Sequence, residues 1–201
     1  MNLKIVQVGE PVLRQQARPL STEEIKSAPI QQLIEMMRET MRTAPGVGLA
    51  APQIGEPLQL AVIEDSADYL KGVPPELLAE RERSAVPFHV IINPELSIIG
   101  DSTATFFEGC LSLSGFTALV PRALEVQVKC LNERAEPVVI NARGWYARIL
   151  QHEIDHLQGN IYIDRMESRS FMTMDNYGVH WAGLPVKHIR ETLRLPAENL
   201  P

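Results

Sequence analysis

The chain has few of the features that mark secreted, membrane-spanning or nucleic-acid-binding proteins. Its two cysteines, Cys110 and Cys130, are too few for a disulfide framework and favour a reducing compartment. No run of about 18 apolar residues occurs, so no membrane-spanning helix is predicted. The net charge of −6 gives no basic surplus of the kind that general nucleic-acid binders carry. The N-terminal segment lacks the apolar core of a signal peptide, so a cytoplasmic location is expected.

Length and composition predict one globular domain. The chain has 201 residues, of which 45% are hydrophobic and 22% are charged, the ordinary balance of a folded protein. It contains no internal repeat and no low-complexity tract. We therefore expect residues 1–201 to form a single domain in which the polar stretch 66–87 is a surface insertion. Periodicity fades beyond about residue 166, and no structure is predicted for the tail 176–201.

Apolar spacing predicts two long helices and several strands. One helix is expected to begin near Pro29 and to end before Pro45, because apolar residues recur at helical spacing between them. A second helix is expected over residues 144–158, with Gly159 following its last turn. Strands are predicted at 58–64, at 88–92 with an end at Asn93-Pro94, and in a hairpin made of 124–130 and 137–142.

The segment HEIDH carries the strongest chemical pattern in the chain. His152 and His156 are four residues apart, so on a helix their side chains lie about 40° apart and can reach one metal ion. Glu153 points to the side of that pair, where it can act on a metal-bound water without ligating the metal. This is the arrangement of a general base in metal-assisted hydrolysis. Trp145 and Ile149 make the same helix partly apolar, which argues against a chance match on a surface helix.

A catalytic metal site needs a third protein ligand, and the residues leave two directions open for it. Downstream, the last position of the pattern HExxHxxGxxH is Tyr162 instead of histidine. The other downstream candidates are Asp164, Glu167 and His180. Upstream, Cys110 stands within FFEGCLS, and a thiolate suits a pair of histidines on a transition metal. A lone cysteine is more often a small buried hydrophobe, which is our interpretation of Cys130.

Three segments, in order, resemble the three motifs of the peptide deformylases: GVGLAAPQ (46–53), EGCLS (108–112) and QHEIDH (151–156). The opening VQVGEPVLRQQARPL is similar to that family's N-terminal segment, so the resemblance spans roughly residues 4–175. The insertion at 66–87 and the stretch around HEIDH are most similar to the mitochondrial-type branch, which also occurs in bacteria. Together with the predicted elements, the resemblance implies an α+β domain with mixed or antiparallel sheets around a central HExxH helix.

That family removes the formyl group from the N-terminal methionine of new proteins. The resemblance therefore implies a metal-dependent hydrolase that acts on nascent formyl-Met polypeptides, at the ribosome. Carried onto this chain, it implies that Cys110, His152 and His156 bind the metal and that Glu153 is the general acid and base. The implied ion is Fe²⁺, tetrahedrally bound with a water as fourth ligand, and Zn²⁺, Ni²⁺ or Co²⁺ are its substitutes in isolated protein.

The resemblance also implies where the substrate binds. Gln53 and the backbone N–H of Leu111 would stabilise the oxyanion that forms when the formyl carbonyl is attacked. An apolar pocket is needed for the methionine side chain, and glycines beside it would let the peptide backbone approach closely. The residues expected to contact the substrate are Gly46, Val47, Gly48, Gly109, Trp145 and Ile149.

Three features depart from the better-known bacterial members. Thr117 stands where an arginine that helps to hold the peptide often follows EGCLS, Arg148 stands where many relatives have an apolar residue, and 176–201 does not match their C-terminal helix. Two other functions stay open. One is a zinc endopeptidase with a downstream ligand, in which Cys110 would matter little. The other is a non-catalytic binding protein on the same scaffold, against which the intact Glu153 argues.

Overall fold

Helices and antiparallel strands alternate along residues 3–195, the part of the chain that the computed structural model describes. The helices are α1 (Thr22–Ile25), α2 (Ala28–Thr43), α3 (Ala67–Leu70), α4 (Pro75–Glu80), α5 (Gly144–Leu157), α6 (Met174–His180) and α7 (Val186–Thr192). The strands are β1 (Gly48–Ala50), β2 (Leu60–Asp65), β3 (Val86–Ile98), β4 (Thr103–Cys110), β5 (Leu113–Ala123), β6 (Glu125–Leu131), β7 (Pro137–Arg143) and β8 (Met172–Thr173). Within these residues, no helix is long and apolar enough to cross a membrane.

The strands form two antiparallel sheets. The larger has the order β1-β2-β3-β6-β7 and the smaller has the order β4-β5-β8. The predicted hairpin is confirmed as β6 and β7, which pair from Glu125 with Arg143 to Leu131 with Pro137. The α+β class with antiparallel sheets is therefore confirmed. No strand was predicted between residues 103 and 123, where β4 and β5 form the hairpin that carries EGCLS.

Strand β3 does not end at Asn93-Pro94, so that prediction is wrong. Its first half pairs with β2, and after a register shift its second half, Glu95–Ile98, pairs with β6. The shift occurs at Asn93, whose φ of 51° breaks the regular ladder. The Asn93 side chain accepts a hydrogen bond from the N–H of Leu20 at 2.9 Å and donates one to its carbonyl at 2.8 Å. These two bonds anchor the bulge, and the chain continues as a strand beyond it.

Helix α5 lies against the larger sheet and places its polar residues toward the smaller one. Its apolar side, which includes the fully buried Leu150, packs in one cluster with Ile63, Ile91 and Val126 of the sheet. The helix ends at Leu157, and Gly159 follows with a φ of +78°. An L side chain at that position would be strained, which is why glycine follows the last turn. Both long predicted helices, α2 and α5, are confirmed within one or two residues.

Segment 66–87 packs near the start of α5, and the segment that leads into the tail packs on the smaller sheet. In 66–87, α3 and α4 lead to Arg83, whose guanidinium binds the buried Asp65 at 2.7 Å. The guanidinium carbon of Arg81 lies 5.1 Å from the ring centroid of Trp145 at the beginning of α5. Just before the tail, β8 pairs with β5, and α6 then leads into the tail. The last part of the predicted tail, 196–201, lies outside the described residues.

Candidate active site

Three candidate metal ligands meet between α5 and the end of β4. Helix α5 supplies His152 and His156 from one face, and Cys110 is the last residue of β4. One ligand atom from each of the three lies within 4.8 Å of the others, and the Cys110 Sγ is 3.3 Å from the His156 Nε2. Over residues 3–195, this is the one group of three or more histidine, cysteine and acidic side chains found with metal-site spacing. The chain thus brings together two segments that are more than 40 residues apart.

The downstream alternatives do not join this group. Asp164 forms a salt bridge with Arg14. Glu167 faces Arg190 with an oxygen 3.7 Å from its guanidinium nitrogen. His180 is exposed at the end of α6. Each of these side chains is directed elsewhere, so the geometry favours the upstream cysteine as the third ligand.

Glu108 orients the His152 ring through a hydrogen bond at its Nδ1. Its Oε2 lies 2.9 Å from the His152 Nδ1, and its two oxygens also accept hydrogen bonds from Arg122 at 2.9 and 3.0 Å. Burial opposes ionisation of Glu108, but the bond from His152 and the charge of Arg122 outweigh it and hold its pKa well below the ordinary value. An ionised carboxylate only accepts hydrogen bonds, so the His152 Nδ1 carries the proton. Burial opposes the charged form of His152, but its hydrogen bonds with Cys110 and Glu108 outweigh burial and raise its pKa well above the ordinary value, so a metal ion would displace the proton from Nε2.

A buried network of charges surrounds Glu108, and it was not predicted from the sequence. Arg148 donates to the Glu108 Oε1 at 2.6 Å, and Arg122 also bridges to Asp155, which in turn binds Arg165 at 2.7 Å. Glu108 could have been found from its place in EGCLS. In a strand, residues two apart share a face, so Glu108 should lie on the same side as the cysteine. The arginine partners are brought to Glu108 by tertiary packing, so no local sequence pattern indicated them.

Glu153 is buried and faces the same cavity without a fixed partner. Its side chain is 3% exposed, and within residues 3–195 its Oε2 has no hydrogen-bond partner. Burial raises the pKa of Glu153 to about 7, and the charge of His152 opposes that rise only in part. A Cβ atom on Gly48 would lie 2.2 Å from the Glu153 Oε1. Glycine at 48 is therefore required to make room for this carboxylate, a different reason from the close peptide approach that the sequence predicted.

Gln53 reaches the candidate metal ligands from the segment between β1 and β2. It lies in a short 3₁₀ helix, Ala51–Ile54, and its Oε1 accepts a hydrogen bond from the N–H of Ala50 at 2.9 Å. This bond directs the amide nitrogen inward, where it is 3.5 Å from the Cys110 Sγ and 3.3 Å from the Ser112 Oγ. The side chain is 2% exposed, so it is not a surface amide. It is held as a donor beside the candidate ligands.

A cavity of about 450 Å³ opens onto these residues. All the residues that the sequence singled out for the site line it, except His156, which lies behind the others. Val47, Trp145 and Ile149 form an apolar part of its wall. The wall also includes side chains for which no role was predicted: Phe107, Glu108, Leu113, Phe116, Arg148 and Met174.

The antiparallel sheets, the HExxH helix and the upstream cysteine define the class: an HExxH metal-site protein whose third candidate ligand is a thiol. A sequence model described as polypeptide deformylase matches residues 2–171. The chain belongs to the polypeptide deformylase family, and the resemblance of its three motifs to that family is confirmed.

Named relatives come from plants, bacteria and humans. The chain is 49% identical over 172 residues to chloroplastic peptide deformylase 1A of Solanum lycopersicum, covering 86% of this chain and 62% of the relative. It is 42% identical to mitochondrial peptide deformylase of Homo sapiens, with 83% and 69% covered. The chain thus spans less than two thirds of the tomato protein and also of its Arabidopsis thaliana counterpart, of which it covers 64%.

Solved structures show the same fold. A class I type b peptide deformylase from Acinetobacter baumannii, with Met-Ala-Ser bound, superposes with a TM-score of 0.73 at 31% identity, covering 83% of this chain and 99% of that one. Peptide deformylase from Thermotoga maritima gives a TM-score of 0.69 at 34% identity, with 83% and 99% covered.

Proposed function

We propose that the chain is a hydrolase that removes the N-formyl group from the N-terminal methionine of newly made polypeptides, at the ribosome, and releases formate. The observation that carries this proposal is the meeting of three candidate ligands with Glu153, whose Oε2 has no hydrogen-bond partner within residues 3–195, at a cavity with an apolar wall. Membership of the family and the relative solved with bound Met-Ala-Ser support the same class of substrate. The tomato relative is named as chloroplastic and the human relative as mitochondrial, so a cytoplasmic location stays a prediction.

The residues present fit a divalent transition-metal ion. One thiolate and two imidazoles are the donor set that such ions prefer over Mg²⁺ or Ca²⁺, and Glu108 fixes one imidazole in the ligating tautomer. Cys110, His152 and His156 would hold the ion, and we propose Fe²⁺, with Zn²⁺, Ni²⁺ or Co²⁺ as substitutes. When bound, the ion polarises the formyl carbonyl and makes a neighbouring water more acidic.

The chain's own residues handle the proton and the developing charge. Water adds to the formyl carbon, and Glu153 accepts its proton. As the C–N bond breaks, Glu153 returns that proton to the amine of methionine, and formate leaves. Gln53 and the backbone N–H of Leu111 donate to the oxygen that becomes negative. Val47, Trp145 and Ile149 receive the methionine side chain, while Gly46 and Gly109 border the path of the peptide backbone.

The Gln53→Ala variant is expected to lose about 10²-fold in kcat, because one preset oxyanion donor typically contributes that much. Metal content should not change, since Gln53 is not among the candidate ligands. Gln59→Ala is the matched control, because Gln59 donates to the carbonyl of Ala17 and does not line the cavity. Steady-state kinetics on formyl-Met-Ala-Ser test this expectation. A Gln53→Ala rate within threefold of the control would remove Gln53 from the oxyanion site.

The pH profile of kcat/KM is expected to fall on the acid side with a midpoint above 4.5 and no higher than about 7. Glu153 must be ionised to accept a proton, so activity is lost as the pH falls through its pKa. Burial raises that pKa to about 7, and a bound cation would lower it part of the way back. Metal content is measured at each pH, because protonation of the histidines also releases metal. Full activity at pH 5 with bound metal would contradict the assignment.

The decisive experiment is a formate-release assay on formyl-Met-Ala-Ser, done anaerobically with metal analysis of the same preparation. We expect formate to appear in proportion to bound metal, and iron-loaded protein to lose activity on exposure to air, because a thiolate ligates a redox-active ion. Cleavage of unformylated internal peptide bonds instead would point to an endopeptidase. Tight peptide binding without formate release would point to a binding protein.

A further inference from the structure

The C-terminal segment, which the family match does not cover, forms part of the cavity wall. The match ends at residue 171, and β8 and α6 begin directly after it. Strand β8 pairs with β5 through Thr173 with Phe116 and Met172 with Thr117. Met174, the first residue of α6, lines the same cavity as Cys110 and Glu153. Met174, which lies outside the matched region, therefore contributes to the cavity wall.

This segment lies beside Thr117, at the position where the family resemblance led us to expect an arginine. Thr117 occupies that position, is 3% exposed, and donates its hydroxyl to the Glu108 carbonyl at 2.8 Å. Because β8 pairs alongside it, Thr117 is covered and does not face the cavity. A contact with the peptide on this side must come from neighbouring side chains.

The neighbouring side chains are apolar and partly open. Phe116 is 36% exposed and Met174 is 47% exposed, and both line the cavity. The Phe116 ring stacks on Phe171, with centroids 5.1 Å apart and planes 6° from parallel. Phe107 packs against Tyr177 of α6, with ring centroids 4.6 Å apart. The Phe107 contact packs α6 against β4, and the Phe116 contact packs the residue before β8 against β5, so the apolar rim is a built surface and not a single stray hydrophobic residue.

We propose that Phe116 and Met174 form a binding subsite for large apolar side chains in the residues that follow formyl-Met. The occupant is the substrate peptide, because the rim is continuous with the cavity that holds Cys110, His152 and Glu153. This inference rests on the proposed function and adds to it a preference among substrates.

The test compares two probes, formyl-Met-Leu-Phe and formyl-Met-Ala-Ser, on metal-loaded full-length protein. Their kcat/KM ratio, Leu-Phe over Ala-Ser, is the readout. In Met174→Ser the ratio is expected to fall about fivefold, the size of effect expected when an apolar contact over part of a methionine side chain is lost. The loss should appear in KM with kcat kept, because the contact is equal in the ground and transition states.

Val179→Ser is the matched control. Val179 lies on the same helix and is 75% exposed, but it does not line the cavity. The kcat/KM ratio of Val179→Ser should equal that of the unmodified chain. Unfolding temperatures and metal content are measured for both variants to check that they remain folded and metal-loaded. An unchanged ratio in Met174→Ser, or an equal fall in both variants, would overturn the subsite while leaving deformylation intact. If the unmodified, metal-loaded protein releases formate from neither probe, the proposed function falls and the subsite falls with it.

Discussion

Replacing Glu153 with alanine is expected to lower turnover of formyl-Met peptides by at least about 10²-fold, the usual contribution of a general acid and base. Bound metal should stay near one ion per chain, because the change leaves Cys110, His152 and His156 in place. Glu153 is about 100° around the helix from His152, and its Oε2 has no partner within residues 3–195.

Two further variants separate catalysis from folding. Glu125→Ala changes a surface glutamate that pairs with Arg143, and it should keep full turnover. Glu153→Gln keeps the shape and removes the charge. Because burial raises the pKa of Glu153 from 4.5 to about 7, its contribution to stability is fully present below pH 4.5 and is lost as the pH rises through about 7. At pH 8, metal-free Glu153→Gln should therefore unfold at no lower temperature than the unmodified chain.

Metal content and turnover of Glu153→Ala are measured on one preparation. Turnover close to that of the unmodified chain would identify Glu153 as an ordinary helix glutamate whose ion pairs contribute under about 1 kcal/mol. Loss of metal together with activity would assign it a structural role at the site. Either result removes the proton-transfer role.

Replacing Cys110 with alanine is expected to abolish both bound metal and formate release. Two histidines alone leave a catalytic site one ligand short, and the other acidic and histidine candidates are directed elsewhere. The same change separates a deformylase from an HExxH endopeptidase with a downstream ligand, in which the cysteine would matter little. Metal analysis after reconstitution with Fe²⁺, Zn²⁺ or Ni²⁺ gives the readout.

Cys130→Ala is the control for loss of a thiol. Cys130 is buried in the core beside Val128, and desolvation raises its pKa to about 11, so it stays protonated. Its replacement should cost some stability and leave metal and turnover in place. A Cys110→Ala protein that still binds one ion and releases formate would exclude Cys110 as an essential ligand.

Patterns that act within a few residues predicted the fold and site well. The spacing of His152 and His156, the hairpin of β6 and β7, and the end of α5 shortly before Gly159 all depend on local geometry, and each agrees with the structure. The motif order also predicted the family, which the match over residues 2–171 confirms. Roles of individual site residues stay predictions that the geometry supports.

The errors in the strand predictions share one cause. The end assigned to β3 at Asn93 was wrong, because a bulge held by Leu20 lets the strand continue and change partner. Strands β4 and β5 went unpredicted although they form the hairpin that presents Cys110. In both cases the strand depends on its partner across the sheet, and a single sequence does not show who that partner is.

Which chemical groups are present could be read from the amino-acid order: two imidazoles on one helical face, a carboxylate beside them, and a thiol and an amide in separate motifs. How these groups act depends on the packing of distant segments. That packing alone placed Glu108 behind His152 across 44 residues, buried Glu153 so that its pKa rises, and laid β8 against Thr117. The physical reason is that residue type and helical spacing are local, whereas burial, dielectric surroundings and cross-strand contacts exist only after distant segments pack together.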